Sequence, residues 1–384
     1  MRVLFASLPS LGHLFPLIPI AWAARAAGHE VLVATFGESA EQAARAGLPV
    51  ADIAPGMTQR SLFIDFVTKE RDLHQRIAAG DQSEDLAGAL FGTWGEWVAD
   101  GAVAHAEAWR PDVVVHERMA PFGRLVAGVL DVPCVRHDLG IEPGALAGQL
   151  RHMSAALARH GVPDLVDDSP WIDIVPPSLA PAGRDGWSMR PVPYNGGVVL
   201  PQWAVHPPER PRVAVTVGTL VGKRPDGIGL LERIIAFAPR VDAEFVIAID
   251  PYDLPKLGDL PPNVRADGWL PLNALLPTCA AIVHHGGSGT TYAAIDAGVP
   301  QLLLPDDGAS DRPINAAAVV ARGIGLAGTP DDVDADLVRQ LIGDDRLRAA
   351  TAEVRAEMAA MPSPAELLTR LEVLVGQEPV SKSI

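Results

Sequence analysis

Residues 1–35 read MRVLFASLPSLGHLFPLIPIAWAARAAGHEVLVAT, and the residue types change in blocks. RVLFASL is a short β-rich run, PSLGH a loop, LFPLIPIAWAARAAG a helix with apolar residues along one side, and HEVLVAT a second strand. Strand, loop, helix and strand at this spacing predict a βαβ unit, because a helical crossover of this length joins parallel strands. Pro16 falls in the first helical turn, where its missing N–H costs little, whereas Pro19 lies deeper and is expected to kink the helix. Further strands are expected at Asp112–Val115 and Pro133–Arg136, with a helix between them.

The same opening recurs at Pro211, where RVAVTVGTLVGK repeats the pattern of RVLFASLPSLGH. The stretch before it, MRPVPYNGGVVLPQWAVHPPERP, is too rich in Pro and Gly for a helix or a central strand. After it come expected strands in RVAVTVG, AEFVIAI, AAIVHH and VPQLLLP and helices in LLERIIAFAPR and INAAAVVARG, then a helical tail from Asp334 to about Gln377. The predicted fold class is α/β, with two Rossmann-like parallel-sheet domains facing across a cleft and C-terminal helices. The first domain spans 1–195, a linker 196–210, the second domain 211–360, and a C-terminal helix over 361–384 packs back on the first domain. Ligands of such sheets bind beyond the carboxyl ends of the strands, so the cleft is the expected active site. Residues 55–100 mix Trp94, Trp97, Phe63, Phe66 and Phe91 with charges and show no clean period; they are expected to be irregular or helical insertions that shape a substrate pocket.

The chain has 384 residues, nearly half apolar and a fifth charged, which suits a globular protein of two or three domains. A formal charge of −16 argues against nucleic acid or an anionic membrane surface as partner. Cys134 and Cys279 lie far apart in apolar surroundings and read as free thiols in a reducing compartment. The N-terminal apolar run is too short for a signal-peptide core and reads as a strand, and no apolar run approaches the ~20 residues of a membrane span. A cytoplasmic location is expected.

At 284–307, HHGGSGTTYAAIDAGVPQLLLPDD turns a strand into a helix through Gly286-Gly287-Ser288-Gly289. Free N–H groups and the dipole at a helix N-terminus attract an anion, and glycines let a phosphate approach the main chain. His285 adds a donor, and Ser288, Thr290 and Thr291 add hydroxyls. A tight capped turn without a ligand would read the same way. The stretch is not a P-loop, since no Lys follows the glycines, and SLPSLGH supplies no dinucleotide fingerprint. Gly218 and Thr219 end another strand aimed at the same crevice. Trp269, in the loop Asp267-Gly268-Trp269-Leu270-Pro271, could stack on a nucleobase. PDDGASDRPINAA puts Asp306, Asp307, Asp311 and Arg312 at the next strand end, as acceptors for sugar hydroxyls, surface acids or metal ligands.

VHHGGSGTTYAAIDAGVPQLLLP followed by DRPINAA resembles the donor-binding signature of the UDP-glycosyltransferase-like superfamily, enzymes of the GT-B fold, and most of all bacterial natural-product transferases. DGWLPLNALLPTC, MRPVPYNGG and LPSLGHLFPLIPIA extend the resemblance over nearly the whole chain. It implies that Trp269 stacks on the base with the Leu270 backbone reading its edge. It implies too that His285 and the N–H groups of Ser288, Gly289 and Thr290 hold the diphosphate, helped by Gly218 and Thr219. Asp311 would bind the sugar. Many relatives have Gln after that Asp where this chain has Arg312. The family generally needs no metal, and no cofactor is expected.

For the chemistry, His13 is the candidate base, since it ends the first loop of domain one where a helix begins and the cleft opens. The helix N-terminus keeps its ring neutral. Glu117, ending DVVVHE where relatives often have Asp, is the candidate carboxylate that orients the ring. His116 is its competitor, and His137 in RHDLG is a candidate for the acceptor wall. The resemblance implies an inverting transferase moving a deoxysugar from a dTDP-type nucleotide sugar to an aglycone hydroxyl, in a protein that could form a homodimer. An epimerase or cell-envelope transferase of the same fold, or a non-catalytic nucleotide-sugar binder, would carry the donor signature equally.

Overall fold

A computed structural model describes residues 1–79, 84–142, 148–166, 170–218, 228–305 and 311–376. Thr219, Asp306 and Asp307 therefore lie outside the described residues. The first sheet contains β1 (Arg2–Ala6), β2 (Glu30–Thr35), β3 (Val50–Asp52), β4 (Val113–Glu117), β5 (Cys134–His137), β6 (Trp171–Asp173) and β7 (Trp187–Ser188). They lie in the order β3-β2-β1-β4-β5-β6-β7, every pair parallel. The second contains β8 (Arg212–Thr216), β9 (Glu244–Ala248), β10 (Val264–Asp267), β11 (Ala281–His284), β12 (Gln301–Leu303) and β13 (Gly325–Ala327), in the order β10-β9-β8-β11-β12-β13. Its pairs are parallel too. β1, β4, β8 and β11 are nearly continuous apolar runs with both faces buried, as parallel strands covered by helices on each side require.

In both sheets the winding direction reverses beside the first strand, between β1 and β4 and between β8 and β11. Connections leaving the sheet on opposite sides open a crevice at that reversal, beyond the carboxyl ends of the strands. His13 follows β1 and Glu117 ends β4; Gly218 and His285 follow β8 and β11.

The first helical segment departs from the expected kink. It runs as Leu11–Leu14, a 3-10 turn Phe15–Leu17, then Ile18–Ala26. The break lies ahead of Pro19, whose absent N–H leaves the Phe15 carbonyl to the tighter turn, so Pro19 opens the second segment rather than bending its middle. The described part of 55–100 is mostly helical, as Gln59–Lys69, Arg71–Ala78 and the start of Glu84–Trp109. The linker, expected to exclude helix, holds the short turn Gln202–Val205, because Trp203 seats itself under Arg212 and Arg265. Asp267, expected in a loop, ends β10.

Three helices, Ala335–Gly343, Asp345–Ala360 and Pro364–Leu374, close the described chain. Ser363 and Glu366 form a reciprocal capping box that starts the last one cleanly. Its buried Leu367, Leu368 and Leu371 join an apolar cluster with Val3 and Phe5 of β1 and Leu303 of β12, so one core runs through both sheets. Each such leucine contributes about 1.5–3 kcal/mol on burial. The buried pair His29 Nε2–Glu372 Oε1, at 2.9 Å, ties this helix to the loop before β2. Among the described residues no helix is long and apolar enough to cross a membrane.

Candidate active site

His13 lies in the four-residue helix that follows β1, and its Nδ1 is 3.2 Å from Oε1 of Glu117 at the end of β4. The imidazole keeps 17% of its surface exposed while the carboxylate has none. Burial by itself would raise the Glu117 pKa. The charge and hydrogen bond of His13 outweigh it, with the N–H groups of Met119 at 2.6 Å and Leu8 at 3.2 Å, and hold the carboxyl below its ordinary value. When the His13 ring is neutral, an Nδ1–H donated to ionised Glu117 leaves the Nε2 lone pair to take a proton.

Strand alternation removes the competitor: His116 is buried on the opposite face of β4, against Gly123 of the helix Phe122–Leu130. His137, paired with Glu117 across β4 and β5, is fully buried and pushed down to about 4 by that burial, so it does not form an open acceptor wall. The wall beside His13 comes instead from the long helix Glu84–Trp109. Its Phe91 ring lies 6.0 Å from the His13 ring and meets Trp94 edge-on at 5.5 Å. Gly95 lets that helix press close, since a Cβ there would sit 2.7 Å from Pro121 and 2.8 Å from the Met153 sulfur.

Across the cleft, β11 ends at His284 and the helix Ser288–Ala297 begins four residues later, capped by Gly287. Gly218, at φ +72°, packs against the His285 ring; a Cβ there would fall 2.4 Å from Cε1. Helix geometry leaves the N–H groups of Ser288, Gly289 and Thr290 without intrahelical acceptors. In this structure Ser288 offers its N–H, at 3.2 Å, and its hydroxyl to Oδ2 of Asp311, which also receives Asn315 Nδ2 at 3.0 Å. An internal carboxylate thus caps the helix. Asp311 is brought to the turn but with Oδ2 occupied. Thr291 is corrected as a ligand donor: it is buried and its hydroxyl donates to the Gly287 carbonyl at 3.1 Å. Arg312 opens the helix Arg312–Arg322 and is buried, its backbone and Cβ against Gly286.

Trp269 is half-buried, and its indole N–H donates to the Asn195 carbonyl, just before the linker, at 2.6 Å. The Leu270 side chain is buried in the core of the second domain. The Trp269 ring stands 6.4 Å from Phe15, only two residues from His13. A second approach of the domains lies at Gly140, where a Cβ would come 2.3 Å from Ser288 Oγ. The loop holding Gly140 is braced by Asp138, fully buried between Arg136 at 2.8 Å and Arg184 at 3.3 Å. The sequence signal for these acidic and basic partners is the charged run Arg136-His137-Asp138 closing an apolar strand. His13 and the His285 turn therefore face one cleft. Surface hollows of about 370 and 520 Å³ lie at the opposite, N-terminal edge of the second sheet and reach neither.

Residues 22–218 match the family model for the erythromycin biosynthesis protein CIII-like N-terminal domain, and residues 232–374 match its C-terminal domain. The chain belongs to the erythromycin biosynthesis protein CIII-like family. Among proteins similar to this CIII-like chain is the elloramycin glycosyltransferase ElmGT of Streptomyces olivaceus, 39% identical over 382 residues that cover 98% of each chain. The glycosyltransferase SnogD from Streptomyces nogalater has a similar structure, with a TM-score of 0.86 at 39% identity over 97% of this chain and 100% of that one. The spinosyn rhamnosyltransferase SpnG, solved with thymidine diphosphate, gives 0.82 at 32% identity over 97% and 100%. The two-sheet architecture is that of GT-B glycosyltransferases, and this CIII-like protein is a glycosyltransferase of the antibiotic-pathway kind.

Proposed function

We propose that the chain is an inverting transferase that moves a deoxysugar from a thymidine diphosphate donor to a hydroxyl of a polyketide-type aglycone, with His13 as general base. The observation that carries this reading is the contact of His13 Nδ1 with fully buried, ionised Glu117, across the cleft from the glycine turn at His285. Nε2 of His13 takes the hydroxyl proton as the acceptor oxygen bonds to the anomeric carbon. The bond from that carbon to the diphosphate oxygen breaks on the far side, so configuration inverts. Glu117 stabilises the imidazolium that forms. His285 and the N–H groups of Gly289 and Thr290 meet the charge on the departing diphosphate. Gly218 shapes the bed for the His285 ring, and the backbone of Gly286, Gly287 and Ser288 lines the turn. Trp269 supplies a face for the base and Leu270 its backbone. Asp311 turns its second oxygen to a sugar hydroxyl, with Arg312 fixing the loop. The thymidine diphosphate in SpnG supports the donor, and free Cys134 and Cys279 fit a reducing cytoplasm.

Replacing the base tests the reading. His13→Ala should lower turnover about a hundredfold or more while leaving dTDP affinity as in the wild type. Unchanged turnover would remove His13 from the role. In a melting screen, dTDP should raise the midpoint more than UDP; no shift with any nucleotide would overturn the donor assignment.

A further inference from the structure

The glycine turn that faces the donor is held by two side chains behind it. His284 is fully buried, and its Nδ1 accepts the Gly286 N–H at 3.1 Å. Since Nδ1 accepts, the ring proton sits on Nε2, where it is donated to Gln301 Oε1 at 3.0 Å. Burial and the neighbouring His285 push the ring down to about 3, so it remains a neutral acceptor throughout the physiological range. Asn315, also buried, donates its amide to the Gly286 carbonyl at 2.9 Å and to Ser288 Oγ at 3.0 Å. Both ends of Gly286 are therefore fixed, its N–H by His284 and its carbonyl by Asn315. That residue sits at φ +92°, where the chain reverses between His285 and the helix N-terminus.

We propose that His284 and Asn315 are positioning residues for the donor diphosphate: they set the Gly286 turn so that His285 and the helix N–H groups converge on one anion. The assignment rests on the reading of this turn as the donor site and extends it to residues that touch no donor atom. Loss of the Nδ1 acceptor would leave a buried N–H without a partner and free the turn to rotate, which weakens donor binding and leaves the His13 side of the cleft untouched.

Side-chain isosteres separate this role from a packing role. Asn places an oxygen near the position of Nδ1, whereas Gln extends its amide toward the position of Nε2. Titration of dTDP into the wild type, His284→Asn, His284→Gln and Asn315→Ala should give affinity within about threefold of wild type for His284→Asn and about ten- to a hundredfold weaker for the other two. Donor KM should follow these affinities while acceptor KM stays constant. Equal dTDP affinity in His284→Asn and His284→Gln, or wild-type affinity in Asn315→Ala, would overturn the assignment. Asn315→Ala decides the matter alone if His284→Gln does not fold. A wild-type chain that fails to bind dTDP would instead overturn the donor reading itself, and the positioning role with it.

Discussion

Glu117 has no exposed surface, so its charge persists only because His13, Met119 and Leu8 share it. Its carboxyl is held below the ordinary 4.5, so ionised Glu117 favours the folded state above that value. The stabilisation is lost as pH falls through the depressed native value. Glu117→Gln keeps the shape and removes the charge. The difference in urea midpoint between wild type and this variant should therefore shrink as pH is lowered from 7 to below 4.5, and a constant difference would contradict an ionised Glu117. Turnover of the variant should fall about ten- to a hundredfold with dTDP affinity unchanged, because the imidazolium loses its counter-charge. The adjacent histidines at 284 and 285 show where single-residue reading stopped. Both are the same type in the same motif, yet one lies inside the sheet and the other on the cleft. Only the closing position of a fully apolar strand marked His284 as a buried residue.

The helix Glu84–Trp109 is the element that would turn the proposed dyad into one side of an acceptor site, since it carries Phe91 to His13. Gly95 sets its depth. Gly95→Ala should cost about 1–3 kcal/mol through overpacking against Pro121 and Met153, and should raise acceptor KM while dTDP affinity stays unchanged. Equal acceptor KM in variant and wild type, measured at saturating donor, would show that the helix does not set this wall. The long strands β1, β2, β8 and β9 were legible as apolar β-rich runs between turn residues. β3, β6, β7 and β13 were not: each has three residues or fewer, too short to show a period, and each is set by pairing with the strand beside it. The stretch of the long helix left irregular and helical readings both open for a related reason. Apolar residues surround it on several sides because sheet, Pro121 and the helix Gln149–His152 all pack on it, so no single stripe stands out.

At the scale of the molecule, two reversals of winding put His13 and Glu117 at one sheet and the glycine turn at His285 at the other, and the proposed transfer needs both. The C-terminal helix, anchored by Leu367, Leu371 and the His29–Glu372 pair, returns to the first domain and holds the sheets in register with the cleft. The motifs that made the donor side legible are local and dense, from Trp269 to Asp311. The acceptor side rests on His13 and Glu117, more than a hundred residues apart and joined only by the parallel pairing of β1 with β4. Chemical rescue tests this division of labour most directly. His13→Gly, given saturating dTDP-sugar and an aglycone the wild type glycosylates, should bind donor normally, transfer slowly, and recover rate in proportion to added imidazole. Transfer at the wild-type rate without imidazole would contradict the account.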